Sequence, residues 1–258
     1  MNRRAFAGAL CTLAVLAPAI AAGCGRQGSA GDSPDPLTVS AAASLAEAFG
    51  RYGEGFTGGR PRFSFAGSDE LAAQIRQGAR PDVYAAANTS LPDALYREGL
   101  VERPVAVATN TLVLAVPAGS EIDGLSDLER PGVDLVVGSP SVPVGSYTRE
   151  VLSRLGAQRA ERILAGVRSQ EPDVKGVVAK LAAGAADAGF VYRSDVVAAG
   201  GRLRALALPA RLRPRAAFAA AVVRGTERPA LARRFVRELR SGRGARILRA
   251  AGFGAPTR

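Results

Sequence analysis

From Leu37 onward, short apolar runs alternate with longer stretches in which apolar residues recur every three or four positions. The runs predict strands over 37–40, 62–65, 83–86, 112–116, 135–138, 188–192, 203–207 and 217–223. The longer period predicts helices over 45–56, 69–77, 91–98, 147–155, 174–183, 229–240 and 242–251. Strands and helices in alternation imply an α/β fold with mostly parallel sheets. Several helix starts carry their own signals. Ser44-Leu-Ala-Glu47 has capping-box spacing, Asp173 stands where it can cap the helix that follows, and Ser68 precedes an acidic first turn.

The 258 residues suit one large domain or two small ones. Histidine is absent, and both cysteines, Cys11 and Cys24, lie in the first 24 positions. A Ser-His-Asp or Cys-His site, a structural zinc site and a disulfide framework are therefore excluded from the body. No GxGxxG, Walker, GxSxG or SxxK pattern is present. The expectation is a protein that is not an enzyme, with no cofactor and no metal cation site.

Residues 1–23 have the layout of a signal peptide, with Arg3 and Arg4 ahead of an uncharged stretch that ends in small residues. Arg3-Arg4-Ala5-Phe6 resembles a twin-arginine signal. Ala21-Ala22-Gly23-Cys24 resembles a bacterial lipobox, which would make Cys24 a lipid anchor. Residues 24–36 are rich in Gly, Ser, Pro and Asp and read as a flexible tether. Export is expected, to the periplasm or to the outer face of the cytoplasmic membrane.

The net charge of +11 is uneven. Residues 202–249 hold 14 basic and 2 acidic side chains, whereas residues 24–201 hold 17 basic and 21 acidic ones. The basic stretch keeps open a binder of anionic surfaces or nucleic acid. Export, few aromatics and the lack of a nucleic-acid motif argue against nucleic acid.

Four places put small, hydroxyl-bearing or Gly-containing residues where a helix begins: 41–45 (AAASL), 65–71 (FAGSDEL), 142–147 (VPVGSY) and 171–174 (EPDV). Helix N-termini expose unpaired N–H groups with partial positive charge, so small residues there let an anion approach. By spacing alone, Ser44 and Ser68 are most simply helix caps, and Tyr192 is a core or rim aromatic.

The ordered set of motifs goes further. AAASL at 41–45, FAGSDELAAQI at 65–75, GARPDVYAAAN at 78–88, NTLVLAVP at 110–117, VPVGSYTREVLSRLG at 142–156, EPDVKGVVAKLAAGAADAGFVYRSD at 171–195 and AGFG at 251–254 occur in this order. Together they resemble the periplasmic molybdate-binding protein family, the receptors of molybdate ABC importers. The resemblance implies a two-lobed, type II periplasmic-binding-protein fold. Each lobe would be a mixed, mostly parallel sheet flanked by helices, with a two-strand hinge. Residues 37–116 with 217–258 would form one lobe and 117–216 the other, with strands 112–116 and 217–223 as crossovers.

The implied ligand is molybdate, with tungstate as a second. Sulfate or phosphate is the alternative within the same class. The implied ligand residues are Ser44 and Ser68 through hydroxyl and N–H, Val144 and Val174 through N–H, and Tyr192 through its phenol. Implied partners are an ABC permease and the membrane, the latter through Cys24; a monomer is expected. Two positions depart from the family pattern. Val144 stands where Ala is usual, and Asp69 stands where Ser or Thr is usual. Asp69 is expected to point outward and complement its own helix N-terminus; a carboxylate facing the anion would instead favour a proton-bearing ligand such as hydrogen phosphate.

Overall fold

A computed structural model describes residues 36–256. The signal segment, Cys24 and the tether up to residue 35 lie outside the described residues. Among the described residues no helix is long and apolar enough to cross a membrane.

Two five-stranded sheets organise the described residues. The first contains β1 (Thr38–Ala42), β2 (Arg62–Ala66), β3 (Val83–Ala86), β4 (Val105–Asn110) and β10 (Ala216–Val222), in the order β2-β1-β3-β10-β4. The second contains β5 (Leu112–Pro117), β6 (Leu135–Gly138), β7 (Val167–Glu171), β8 (Ala188–Tyr192) and β9 (Leu203–Ala207), in the order β7-β6-β8-β5-β9. Three strands of each sheet run parallel: β2, β1 and β3 in one, and β7, β6 and β8 in the other. Each sheet then takes one antiparallel strand at the same place, β10 in the first and β5 in the second. Those two strands are the ones that arrive from the other sheet.

This pairing corrects the expected boundary. Residues 112–116 are not a crossover strand of the first lobe. Leu112–Pro117 is interior to the second sheet, between β8 and β9. The chain passes from one sheet to the other at Thr111, between β4 and β5, and returns between a 3-10 turn at Ala210–Leu212 and β10. An apolar run announces a strand but not its neighbours, because pairing is non-local. Buried Asn110 ties the first crossover down. Its Nδ2 donates to Ser194 Oγ at 2.8 Å, and its Oδ1 accepts the Thr111 N–H at 2.9 Å.

Alanine explains how the sheets carry helices on both faces. β1, β3 and β10 read TVSAA, VYAA and AAFAAAV, and nearly every residue in them is buried. Small side chains let covering helices sit close. The helices are α1 (Ala46–Gly53), α2 (Ser68–Arg76), α3 (Ser90–Arg97), α4 (Pro143–Leu155), α5 (Ala157–Ala165), α6 (Val174–Ala182), α7 (Arg193–Ala198), α8 (Pro229–Ser241) and α9 (Arg243–Ala250). Aromatics fill the seam between α1 and α8, with the Phe235 ring 4.8 Å from Tyr52 and 5.3 Å from Phe56.

Four elements differ from the expected set. β4, β7, α5 and α7 are additional. β7 reads VRSQE and, among the described residues, is an edge strand paired with β6 alone, so little apolar burial marks it. α5 buries only Ile163. It follows α4 after Gly156, whose φ of 93° breaks the helix in a region that favours glycine.

Candidate functional site

The parallel strands of both sheets point their carboxyl ends at one another. β1, β2 and β3 lead to Ser44, Ser68 and Ala87; β6, β7 and β8 lead to Val144, Val174 and Tyr192. These six residues line one small pocket with Ala42, Ala43, Ala66, Gly67, Val142, Pro143 and Asp173. The centre of a water-sized molecule has about 20 Å³ to move in there, so the space fits one small ion. In open α/β sheets this end of the strands is where ligands sit.

All five residues expected at an anion site are in this lining and are buried. Their polar groups are neutral donors. Ser44 lies in a 3-10 turn, Ala43–Leu45, directly after β1. Its Oγ is buried without a hydrogen-bond partner among the described residues. The expected Ser44–Glu47 capping box is therefore not formed; the 3-10 turn moves the start of α1 to Ala46, leaving Ser44 Oγ without a partner among the described residues and Glu47 bonded to Lys175. Ser68 is likewise not a cap but the first residue of α2, with Gly67 at the cap position. Ser68 Oγ accepts the Ala87 N–H at 3.0 Å, which leaves its own proton free to donate. The Ser68 carbonyl accepts the Tyr84 hydroxyl at 2.7 Å and fixes the backbone.

The second lobe supplies two helix starts and a phenol. In α4, Pro143 has no N–H, so Val144 carries the first one. In α6, the Asp173 carboxylate accepts the N–H groups of Lys175 at 2.7 Å and Gly176 at 3.1 Å. This is the cap expected from the sequence. It occupies the Asp173 charge and leaves the Val174 N–H, which has no intrahelical acceptor. Tyr192 ends β8, and its Oη is also buried without a partner among the described residues. Burial holds its phenol well above the usual range, so it stays a neutral donor. Its ring packs 5.3 Å from Phe218 of β10, beside the return crossover.

The lobes touch across this pocket. A Cβ on Gly67 would lie 2.6 Å from the Pro172 carbonyl oxygen and 3.4 Å from Val142 Cγ1. Only glycine allows that approach. Asp69 does not line the pocket. Contrary to the outward orientation expected of it, one carboxylate oxygen is buried without a partner beside Gly67, in the seam between the lobes. Gly67, Ala87 and Pro143 were not singled out from the sequence. Their roles are close approach, a backbone donor and a missing N–H; the first and third leave a residue-type signal, in glycine and proline, and the second leaves none.

The family model that matches residues 37–254 is that of a bacterial extracellular solute-binding protein. The chain belongs to that family. Among curated members, it is 40% identical over 227 residues to the molybdate-binding protein ModA of Mycobacterium tuberculosis, covering 85% of each chain. Among solved structures, the fold matches the periplasmic molybdate-binding protein of Azotobacter vinelandii with a TM-score of 0.77 at 22% identity, covering 86% of this chain and 100% of that one. It also matches the sulfate-binding protein SubI of Mycobacterium tuberculosis with a TM-score of 0.73 at 17% identity, covering 84% and 86%. Solute-binding proteins with different named anions thus share this fold, and the lining has to decide the ligand.

A fully buried carboxyl stands behind Tyr192 in this solute-binding protein. Asp195 in α7 accepts the Tyr192 N–H at 3.1 Å. Burial pushes its carboxyl up to about 7, against the pull of Lys175. An unfolded Asp titrates near about 3.9. Between these values the folded chain keeps a proton that the unfolded chain has lost, so stability falls as pH rises through the window. Glu98, Glu102, Asp127 and Glu129 are held below their ordinary values by Arg76, Arg233, the Asp123 N–H and Arg162 in turn. Their contribution has the opposite sign and is lost only below about pH 4.5. Asp195→Asn is expected to flatten the decline in melting temperature between about pH 5 and 7. An unchanged slope would show that this carboxyl is ionised throughout.

Proposed function

We propose that the chain captures molybdate, with tungstate as a second ligand, outside the cytoplasm and delivers it to an ABC permease. The observation that carries this reading is the pair of orphaned donors. Ser44 Oγ and Tyr192 Oη are buried in one pocket without partners among the described residues, each at a cost of about 1–3 kcal/mol unless a ligand accepts from it. With Ser68 Oγ and the Val144 and Val174 N–H groups they form a shell of neutral donors, with two helix N-termini supplying partial positive charge. A fully ionised tetrahedral dianion needs this inventory.

A proton-bearing anion fits less well. The Asp173 carboxylate in the lining is engaged by its own helix, and the Asp69 carboxylate, whose buried oxygen has no partner among the described residues, is not part of the lining, so the lining itself offers no free acceptor for a ligand proton. This argues against hydrogen phosphate. Relatives named for molybdate, at 40% identity over 85% of the chain, support molybdate over sulfate. Ser44, Ser68 and Ala87 on the first lobe, with Val144, Val174 and Tyr192 on the second, make closure the step that completes the shell. Cys24 would then hold the receptor at the membrane as a lipid anchor.

Calorimetric titration with molybdate, tungstate, sulfate and phosphate tests the reading. Molybdate and tungstate are expected to bind at least about 100-fold more tightly than the other two, about 2.7 kcal/mol. Sulfate or phosphate binding with no heat from molybdate would overturn the assignment.

A further inference from the structure

Outside the anion pocket, one ion pair joins the two lobes along the same seam. Lys175 is the second residue of α6, in the second lobe. Its Nζ donates to both carboxylate oxygens of Glu47, in the first turn of α1 of the first lobe, at 2.8 Å each. Behind it, Asp195 Oδ1 lies 3.5 Å from the same Nζ, on a side chain that is fully buried. Each of the three residues of this charge triad stands beside a residue of the anion shell, two of them by sequence and Asp195 by a hydrogen bond. Glu47 follows Ser44 by three positions. Lys175 follows Val174 directly. Asp195 holds the Tyr192 N–H. Three of the five donor positions thus carry one member of the triad each.

We propose that Lys175 is the latch of the closed receptor, a positioning residue that binds Glu47 only when Ser44, Val174 and Tyr192 have converged on the anion. Opening the cleft separates Glu47 from Lys175 because they ride on different lobes. It leaves Lys175 with Asp195, since α6 and α7 belong to the same lobe. Buried Asp195 keeps the ammonium aimed at the seam in both states. The latch therefore acts on the closed state alone and slows release rather than speeding capture. Lys175 and Glu47 are 28% and 51% exposed, so the pair is worth no more than a partly screened surface bridge. That corresponds to about a 2- to 5-fold change in release rate.

This inference rests on the oxyanion-receptor reading, and the test separates the two. Release of molybdate, tungstate, sulfate and phosphate is followed by stopped flow on the full chain, using the emission of its tyrosines, since it has no tryptophan. Glu47→Gln is expected to release the bound anion about 2- to 5-fold faster with an unchanged association rate. In a Lys175→Met background the Glu47 substitution should add nothing. The wild-type advantage should shrink between about 50 mM and 1 M salt. The melting temperature of the ligand-free Glu47→Gln protein should stay at the wild-type value, which separates a latch from a merely structural bridge. Wild-type release rates in Glu47→Gln, or effects of the two substitutions that simply multiply, would sink the latch. Sulfate binding with latch-dependent release would keep the latch and remove molybdate. A wild type that closes on none of the four anions overturns both.

Discussion

Gly145→Ala is expected to cost about 3 kcal/mol of stability and more than tenfold in anion affinity. Gly145 is the third residue of α4, next to Val144. A Cβ there would collide with the carbonyl oxygens of Ser139 and Gly138 and come within 2.7 Å of the Gly138 carbonyl carbon. All three atoms are backbone, at the end of β6 and in the turn after it, so no side chain can swing aside. The start of α4 must back away from β6 and take the Val144 N–H with it. A binding shell tolerates about 0.5 Å of such displacement. Gly50→Ala is the control. Gly50 lies inside α1 with nothing within 4 Å of its Cβ position, and alanine there is expected to be neutral or to stabilise by about 0.5–1 kcal/mol. Thermal melts and calorimetry on both variants read the contrast; equal melting temperatures would refute the close packing of α4 on β6.

Ser44→Ala and Tyr192→Phe are each expected to weaken molybdate binding by about 10- to 150-fold. The range corresponds to losing one hydrogen bond to a charged acceptor, about 1.5–3 kcal/mol. Their ligand-free melting temperatures should stay level or rise, because both substitutions remove a buried hydroxyl that has no partner among the described residues. Ser68→Ala should behave differently. Its Oγ also accepts the Ala87 N–H, so affinity and ligand-free stability should fall together. Calorimetry paired with melts separates the two patterns. A fall in ligand-free stability for all three would mean that Ser44 and Tyr192 serve the fold rather than a ligand.

The basic C-terminal stretch illustrates how linear charge misleads. Its fourteen bases do not form one face. Arg204 and Arg213 bond carbonyls of the second lobe, at Ser120, Ile122 and Leu208. Arg233 pairs with Glu102 and Arg234 with Glu238 on the first lobe. Arg243 reaches the Tyr52 carbonyl. The chain crosses between lobes in the middle of this stretch, so its net charge is divided over both.

What the sequence determined by itself was local. Period and turn chemistry predicted seven of the helices to within a few residues at most ends, and the strands that are apolar on both faces. Asp173 capped α6 as its position implied, because a cap needs only the next three residues. The ordered motifs marked Ser44, Ser68, Val144, Val174 and Tyr192. The tertiary structure decided everything that depends on partners far along the chain. It placed β5 in the second sheet, because strand pairing is set by neighbours and not by the strand's own residues. It turned Ser44 from a cap into an orphaned donor, because a 3-10 turn moved the start of the helix. It made β7 a strand through the hydrogen bonds of β6 rather than through burial. It also joined Glu47 to Lys175 over 128 positions, a contact that exists only because two lobes close on one pocket.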